Sequence, residues 1–510
     1  MIGRHRIVAF AVLLLIFFAI RTYRLTSLPI FIDESLHLFW SQRVREEPRF
    51  ERPLRDGKPL QALVTSLTVP GAADPLWAGR FTSVIVGAVG MWAAWRIGRR
   101  LFDEETGWAA AVLYLACPFT LFYDRMALSD VYLSTFAALT LLASITVARD
   151  PRPANGVWLG LALAGCVLSK VPGLMLTPLP LAAALLLPPR RPGLGRALAV
   201  GYAIAAVLAA YPAWYFLAHS SQVRKAAGVE EEVEVTHLLV DNLGDAVRWL
   251  WAYWTWPVTI AGLAGVVVGV VRRRGPELLL GVASLAPVAV FVAFSFYWYP
   301  RYILFATVPF LVLAARVLTL LARWLATLAG GSRLVPGRVG VWLVALVAAT
   351  IVPAVRFDAA LLEDPAKAPL PRLERFQYVD GFSSGYGCAE AVAWLRGELA
   401  ARPGTITVAA ETPGRRTLFL GLRTYFMNEP RAEVLWIDPI GPAGRDMLLE
   451  RARTHPTFLV TASKEEAGAR FDALGAVRLA QWRKPSGVLA GELYQVGARR
   501  EPGGDPEGRR

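Results

Sequence analysis

The length of its apolar runs constrains this chain more than any single motif does. Runs of roughly 17 to 22 residues with almost no charge recur from Ile7 onward, and a helix of that length crosses the hydrocarbon core of a bilayer. Of the 510 residues, 55% are hydrophobic and only 18% charged, so most of the sequence is committed to such runs. The net charge of +14 would suit nucleic acid if it lay on one soluble face. The arginines gather instead in short loops between apolar runs, where they act as topology signals. The chain therefore reads as a polytopic α-helical membrane protein with membrane lipids as its surroundings and no nucleic-acid partner.

The spacing predicts about eleven transmembrane helices, near residues 7–23, 76–97, 107–123, 128–148, 156–170, 172–188, 197–217, 252–271, 277–297, 302–322 and 339–356. The first follows Arg4-His5-Arg6 like a signal peptide, but Arg21-Thr22-Tyr23-Arg24 closes it where a small-x-small cleavage site would stand, so it reads as an uncleaved helix. With the N-terminus inside, the loops holding Arg99-Arg100, Arg149 with Arg152, Arg190-Arg191 with Arg196, Arg272-Arg273-Arg274, and residues 323–338 all fall inside. The outer side then collects isolated charges: Asp33, Glu34, Lys58, Asp124, Arg125, Asp130, Lys170 and Arg301. Isolated charges near a bilayer are expensive and mark function. Cys117 and Cys166 lie within apolar spans and Cys388 stands alone, which gives neither a disulfide framework nor a metal motif.

Domain boundaries follow the change in composition. Residues 1–356 form the transmembrane module with an outer loop at 24–75, and 357–380, with Pro365, Pro369 and Pro371, form a linker. Residues 381–497 form an extracytoplasmic α/β domain, and 498–510 a disordered tail. Within the α/β region the pattern predicts helices near 388–401, 414–425, 443–454 and 464–474, and strands near 405–411, 433–437, 457–461, 477–482 and 488–495. Neither a Walker motif nor a GxGxxG fingerprint is present, so nucleotide binding has no support.

Five blocks occur in a telling order: FIDESLH at 31–37, GKPLQ at 57–61, the long block at 76–102, ACPFTLFYDRMALSD at 116–130 and YPRYILFATVP at 299–309. Together they resemble glycosyltransferases of the C-type superfold that use polyprenyl-phosphate sugars, in the group of protein O-mannosyltransferases and aminoarabinose transferases, glycosyltransferase family 39. The resemblance covers roughly residues 7–322. GKPLQ departs from it in carrying a single proline where many relatives have a Lys-Pro-Pro run.

Sugar transfer from a lipid phosphate needs a base for the acceptor hydroxyl and cations for the departing phosphate. A carboxylate that attacked the sugar would give retention, whereas one acting as base gives inversion; the resemblance implies inversion with Asp33 as base. Asp33 also suits an N-cap for a helix from Glu34 to Arg43, and the two roles are compatible. Glu34 would orient the acceptor or a divalent metal ion, the one cofactor left open. The resemblance assigns Lys58 to the lipid phosphate, against the alternative of an interfacial anchor. Arg301 breaks the inside bias and reads either as a phosphate ligand or as an anchor in an aromatic belt. Arg125 and Lys170 are further phosphate candidates, the first also readable as a structural clamp and the second as a helix C-cap. Asp130 supports the active-site loop by resemblance, with Tyr302 and His37 as neighbouring supports.

His37, His219 and His237 with Glu34 have no metal-ligand spacing. The acidic run Glu230, Glu231, Glu232 and Glu234 reads as a solvated face, and Trp249, Trp251, Trp254 and Trp256 as an interfacial belt. The resulting expectation is an inverting glycosyltransferase of a bacterial inner membrane with its active site on the outer, periplasmic face. Its partners would be a polyprenyl-phosphate-sugar donor and a protein, lipid or glycan acceptor. A secondary transporter of an ion or sugar-like solute is the alternative, disfavoured by the odd span count and the long first outer loop.

Overall fold

The computed structural model describes residues 2–46, 50–189, 191–220, 235–295, 298–330, 336–411, 417–437, 440–462 and 471–497. The chain divides into two compact units. The first comprises Met1–Leu25, Arg43–Leu67 and Gly79–Pro371; the second comprises Thr26–Gln42, Thr68–Ala78 and Arg372–Arg510.

The first unit is a helical bundle. Seven helices are long and apolar enough to cross a membrane: His5–Thr22, Pro75–Leu101, Ser129–Arg149, Leu194–His219, Gly275–Phe294, Pro300–Leu328 and Gly337–Glu363. Two further pairs reach that length only together, Glu104–Leu115 with Pro118–Asp124, bent by 60°, and Leu238–Trp254 with Trp256–Val271, bent by 112°. Among the described residues the bundle therefore has seven spans, or up to nine with the bent pairs. Both breaks precede a proline that opens the following helix, Pro118 and Pro257, and the sharper one also needs Thr255 at φ 63°. The remaining apolar segments of the eleven expected are short helices: Pro153–Ser169, and a 3₁₀ turn Val171–Leu176 leading into Leu179–Leu186. Pro172, Pro178 and Pro180 withhold backbone donors there, which shortens the helical runs.

Small residues let these helices approach. Gly156 and Gly160 face the backbone oxygens of Ala197 and Gly201, where a side-chain carbon would collide, so Pro153–Ser169 and Leu194–His219 pack backbone to backbone. Leu159, Leu163, Ala197 and Val147 fill the core at that junction.

In the second unit the five strands are β1 (Ile406–Glu411), β2 (Ala432–Ile437), β3 (Thr457–Thr461), β4 (Val477–Arg483) and β5 (Leu489–Gln495). They form one sheet in the order β2-β1-β3-β5-β4, with β1 parallel to β2 and β3, and β5 antiparallel to β3 and β4. The central strands β1 and β3 are buried throughout, as strands covered on both faces should be. Ala409, Leu448, Leu459, Phe471, Leu474 and Tyr494 make the core on one side of the sheet. Helices Cys388–Ala401, Thr417–Tyr425 and Pro442–Thr454 lie close to their expected positions. The start of the helix expected at 414–425, most of that expected at 464–474, and the tail 498–510 lie outside the described residues.

Candidate functional site

Asp33 lies in the first turn of the helix Ile32–Glu46, inside the helix rather than at its cap. The capping work falls to its neighbour: the Glu34 carboxylate accepts a hydrogen bond from the Phe31 N–H at 3.0 Å and is buried. Asp33 remains half-buried while Ser35, His37, Leu38, Phe39 and Trp40 are covered. Residues of the second unit hold this helix. Ile32 N–H donates to the Ser383 carbonyl at 3.2 Å, Phe31 packs on Tyr378 at 4.5 Å between centroids, and the Thr424 hydroxyl donates to the Ser35 carbonyl at 3.3 Å. The Arg423 guanidinium sits 4.1 Å from the Phe39 ring centre, and the Gln42 amide donates to the Met427 carbonyl. Asp33 thus stands on a helix anchored by residues of the second unit.

The cations gather in the first unit. Lys170, at the extended junction between Pro153–Ser169 and the 3₁₀ turn Val171–Leu176, places its ammonium 2.6 Å from Asp130 in the first turn of Ser129–Arg149. The same ammonium lies 3.9 Å from the centre of the Tyr302 ring. Arg301 is buried beside it, its guanidinium carbon 4.6 Å from the Tyr299 ring and 5.6 Å from that of Tyr302. Pro300 begins the 3₁₀ turn Pro300–Ala306 that carries both residues, as a proline-shaped helix start should. Lys58 precedes the helix Pro59–Thr65 and is half-buried. Its neighbour Gly57 has φ +68°, and a β-carbon there would come within 2.7 Å of Val171 Cγ2, so only glycine lets this turn lie against the residue after Lys170. Lys58, Lys170, Asp130, Arg301 and Tyr302 therefore belong to one neighbourhood of the bundle.

Arg125 is engaged differently. Its guanidinium donates to the carbonyls of Ile20 at 3.2 Å, Tyr23 at 2.8 Å and Arg24 at 3.0 Å, closing the C-terminal end of the first helix. Next to it is an assembly that the sequence reading missed. Arg21 is buried and paired with Asp124 at 3.0 Å, with the Tyr114 hydroxyl donating to the same carboxylate at 3.2 Å and Thr120 within reach of Arg21. In the sequence Arg21 stands out only as part of the segment that closes the first span. An arginine on the side where arginines are scarce was the available signal, the same one that picked out Arg301.

The metal question turns on Glu34 and His37. Glu34 is bonded to the backbone, and the His37 ring lies against Trp40 with centroids 5.2 Å apart. Among the described residues no three His, Cys, Asp or Glu side chains come together to hold a metal ion. His219 is exposed against Tyr215 and the His237 side chain lies outside the described set, as do Glu230, Glu231, Glu232 and Glu234. Of the expected tryptophan belt, Trp251 and Trp256 are exposed, but Trp249 and Trp254 are packed inward. Trp254 stacks on Phe310 at 3.8 Å and donates to the Thr307 hydroxyl.

Residues 57–216, under a third of the chain, match the family model described as dolichyl-phosphate-mannose-protein mannosyltransferase. No curated protein matches the chain. The fold is similar to that of ArnT from Cupriavidus metallidurans bound to undecaprenyl phosphate, at 16% identity and TM-score 0.58 over 97% of this chain and 98% of that one. It is also similar to the oligosaccharyltransferase of Archaeoglobus fulgidus, at 13% identity and TM-score 0.56 over 92% of this chain and 71% of that one. A further structure of that oligosaccharyltransferase is a complex with Zn and sulfate, at 13% identity and TM-score 0.56 over 94% of this chain and 72% of that one. The matched segment carries the signature of a glycosyltransferase family, and the fold is ArnT-like. Together they define an integral membrane glycosyltransferase.

Proposed function

We propose that the protein transfers a sugar from a polyprenyl-phosphate carrier to a hydroxyl of a protein, lipid or glycan outside the cytoplasm, with inversion at the anomeric carbon. The acceptor oxygen attacks that carbon, its proton passes to the Asp33 carboxylate, and the bond from the carbon to the phosphate oxygen breaks with its electron pair leaving on polyprenyl phosphate. A phosphate monoester is a good enough leaving group to need cations rather than an acid. Arg301, Lys58 and Lys170 are assigned that task, with Asp130 fixing Lys170 and Tyr302 flanking both Lys170 and Arg301. Glu34 and His37 support the Asp33 helix, and Arg125 braces the end of the first helix. No step is routed through a metal.

The observation that carries this reading is the burial of two cations against one tyrosine ring, Lys170 at 3.9 Å and Arg301 at 5.6 Å from Tyr302, with Asp130 paired to Lys170. Buried cations held beside aromatic rings suit the oxygens of a phosphate. The pattern of arginine-bearing loops supports a bacterial inner-membrane protein with its site on the periplasmic face, and the C-terminal unit that carries the Asp33 helix is assigned a part in selecting the acceptor.

The test is transfer from radiolabelled polyprenyl-phosphate sugars by purified protein in lipid, read as release of free polyprenyl phosphate, for wild type and Asp33→Asn. The expected result is a fall of about 10²- to 10⁴-fold with donor binding retained. Equal turnover by the variant, or no donor binding by wild type, would overturn the reading.

A further inference from the structure

The helix that carries Asp130 borders a cavity at its opposite end. Between Pro75–Leu101, Ser129–Arg149 and Pro153–Ser169 there is a cavity of about 430 Å³. Its lining is ordered along the helices. At one end stand Arg96 and Arg100, one turn apart on the first helix, with Thr146 and Asn155 from the other two. Toward the middle of the bundle the walls become Phe136, Leu139, Leu142, Leu161 and Ala162. From Thr146 back to Phe136 the helix rises about 15 Å, long enough for much of an acyl chain. Trp92 and Trp158 stand at the exposed margin, 37% and 68% accessible.

The two arginines at the polar end make no close ion pair, although Glu104 acts on Arg96 through space and Asp150 bonds to Asn155 at 3.3 Å. Arg99, on another face of the helix, is paired with Glu104 at 2.6 Å, but among the described residues no carboxylate lies within ion-pairing distance of Arg96 or Arg100. The Arg96 Nε is buried without a hydrogen-bond partner, a donor that costs free energy unless an acceptor arrives. Asp130 and Thr146 are separated by four turns and more of one helix, about 24 Å, so this groove is not part of the donor site.

We propose that this groove binds an anionic glycerophospholipid, its phosphate on Arg96 and Arg100 and an acyl chain between Phe136, Leu139 and Leu161. The unsatisfied guanidinium nitrogen and the polar-to-apolar order of the walls together select an anionic head joined to a hydrocarbon tail. By the arginine pattern this is the inner leaflet.

The experiment uses the full chain in mild detergent with equimolar phosphatidylglycerol and phosphatidylcholine, reading retained lipid by native mass spectrometry. Wild type is expected to keep phosphatidylglycerol at least about fivefold over phosphatidylcholine, and the Arg96→Gln/Arg100→Gln pair to bring the ratio to about one. A second variant, Ala143→Leu, leaves both arginines in place but fills the wall, and is expected to lower retention of the lipid without changing donor binding. A wild-type ratio of one, or a ratio unchanged in the arginine pair, would overturn the proposal. So would displacement of the lipid by millimolar inorganic phosphate, which would mean a site for the head alone, or retention of polyprenyl phosphate in preference to phosphatidylglycerol.

Discussion

The acidic helix and the basic cluster solve opposite problems. Asp33 stands half-exposed on the first turn of a helix whose remaining residues are fixed by Ser383, Tyr378, Thr424 and Arg423. Lys170 and Arg301 are themselves buried, and aromatic rings and Asp130 hold them in place. A base must meet its acceptor and shed its proton, so rigidity is supplied beneath it. A phosphate clamp gains from desolvation, so rigidity is supplied around it. Substitutions in the two regions should therefore fail in different ways: the acidic helix should lose rate, and the basic cluster should lose donor affinity and stability.

The largest effect belongs to Asp33→Asn, a loss confined to turnover. Next comes Arg301→Gln. Removing one charge-assisted contact to phosphate should weaken donor binding by about 10- to 100-fold, seen as a shift in the donor titration with maximal rate much less affected. A rate loss larger than the affinity loss would mean that Arg301 acts mainly in the transition state and would blur the contrast between the regions.

Breaking the Lys170–Asp130 pair sharpens the comparison. Asp130→Asn takes the paired carboxylate from a buried ammonium and should cost about 3–5 kcal/mol of stability, while Asp130→Asn with Lys170→Met should cost less than the sum of the two single changes. Thermal denaturation in detergent reads this as a non-additive cycle. Additive losses would show that the pair is not coupled. Glu34→Gln, by contrast, keeps an acceptor for the Phe31 N–H and should cost under about 1 kcal/mol, whereas Glu34→Ala loses the cap.

The same contrast explains what the sequence could disclose. Asp33, Lys58 and Arg301 stand out in the sequence because each breaks a local rule, a charge on the side of the membrane where charge is expected to be scarce or a proline beside a cation. The strands of the C-terminal unit were legible from short apolar runs with β-branched residues, as at Thr457–Thr461. What stayed hidden depends on partners distant in sequence. Nothing local in Phe31 announces Tyr378, so the grouping of Thr26–Gln42 with Arg372–Arg510 could not be read from the outer loop alone. Glu34 reaches back to the Phe31 N–H because the helix begins at Ile32, which puts Glu34 three residues beyond the capping position. Arg21 finds Asp124 across 103 residues, beyond any periodic signal.

The smallest expected effect belongs to Asp103, which caps Glu104–Leu115 and accepts hydrogen bonds from Arg316 at 3.2 Å and Arg323 at 2.9 Å. Burial acts to raise its carboxyl, but the Thr106 hydroxyl and amide and the two guanidinium groups outweigh that and hold it below the usual carboxylate value. A carboxyl depressed in the folded state stabilises the fold at pH values above its ordinary range, and the contribution fades as pH falls through the folded value. Asp103→Asn should therefore lower the melting temperature at pH 7 by more than at pH 3, with transfer rate and donor affinity unchanged. A pH-independent difference would locate the role of Asp103 in cap geometry, which asparagine also supplies, and would leave charge to matter only where Asp33, Lys170 and Arg301 stand.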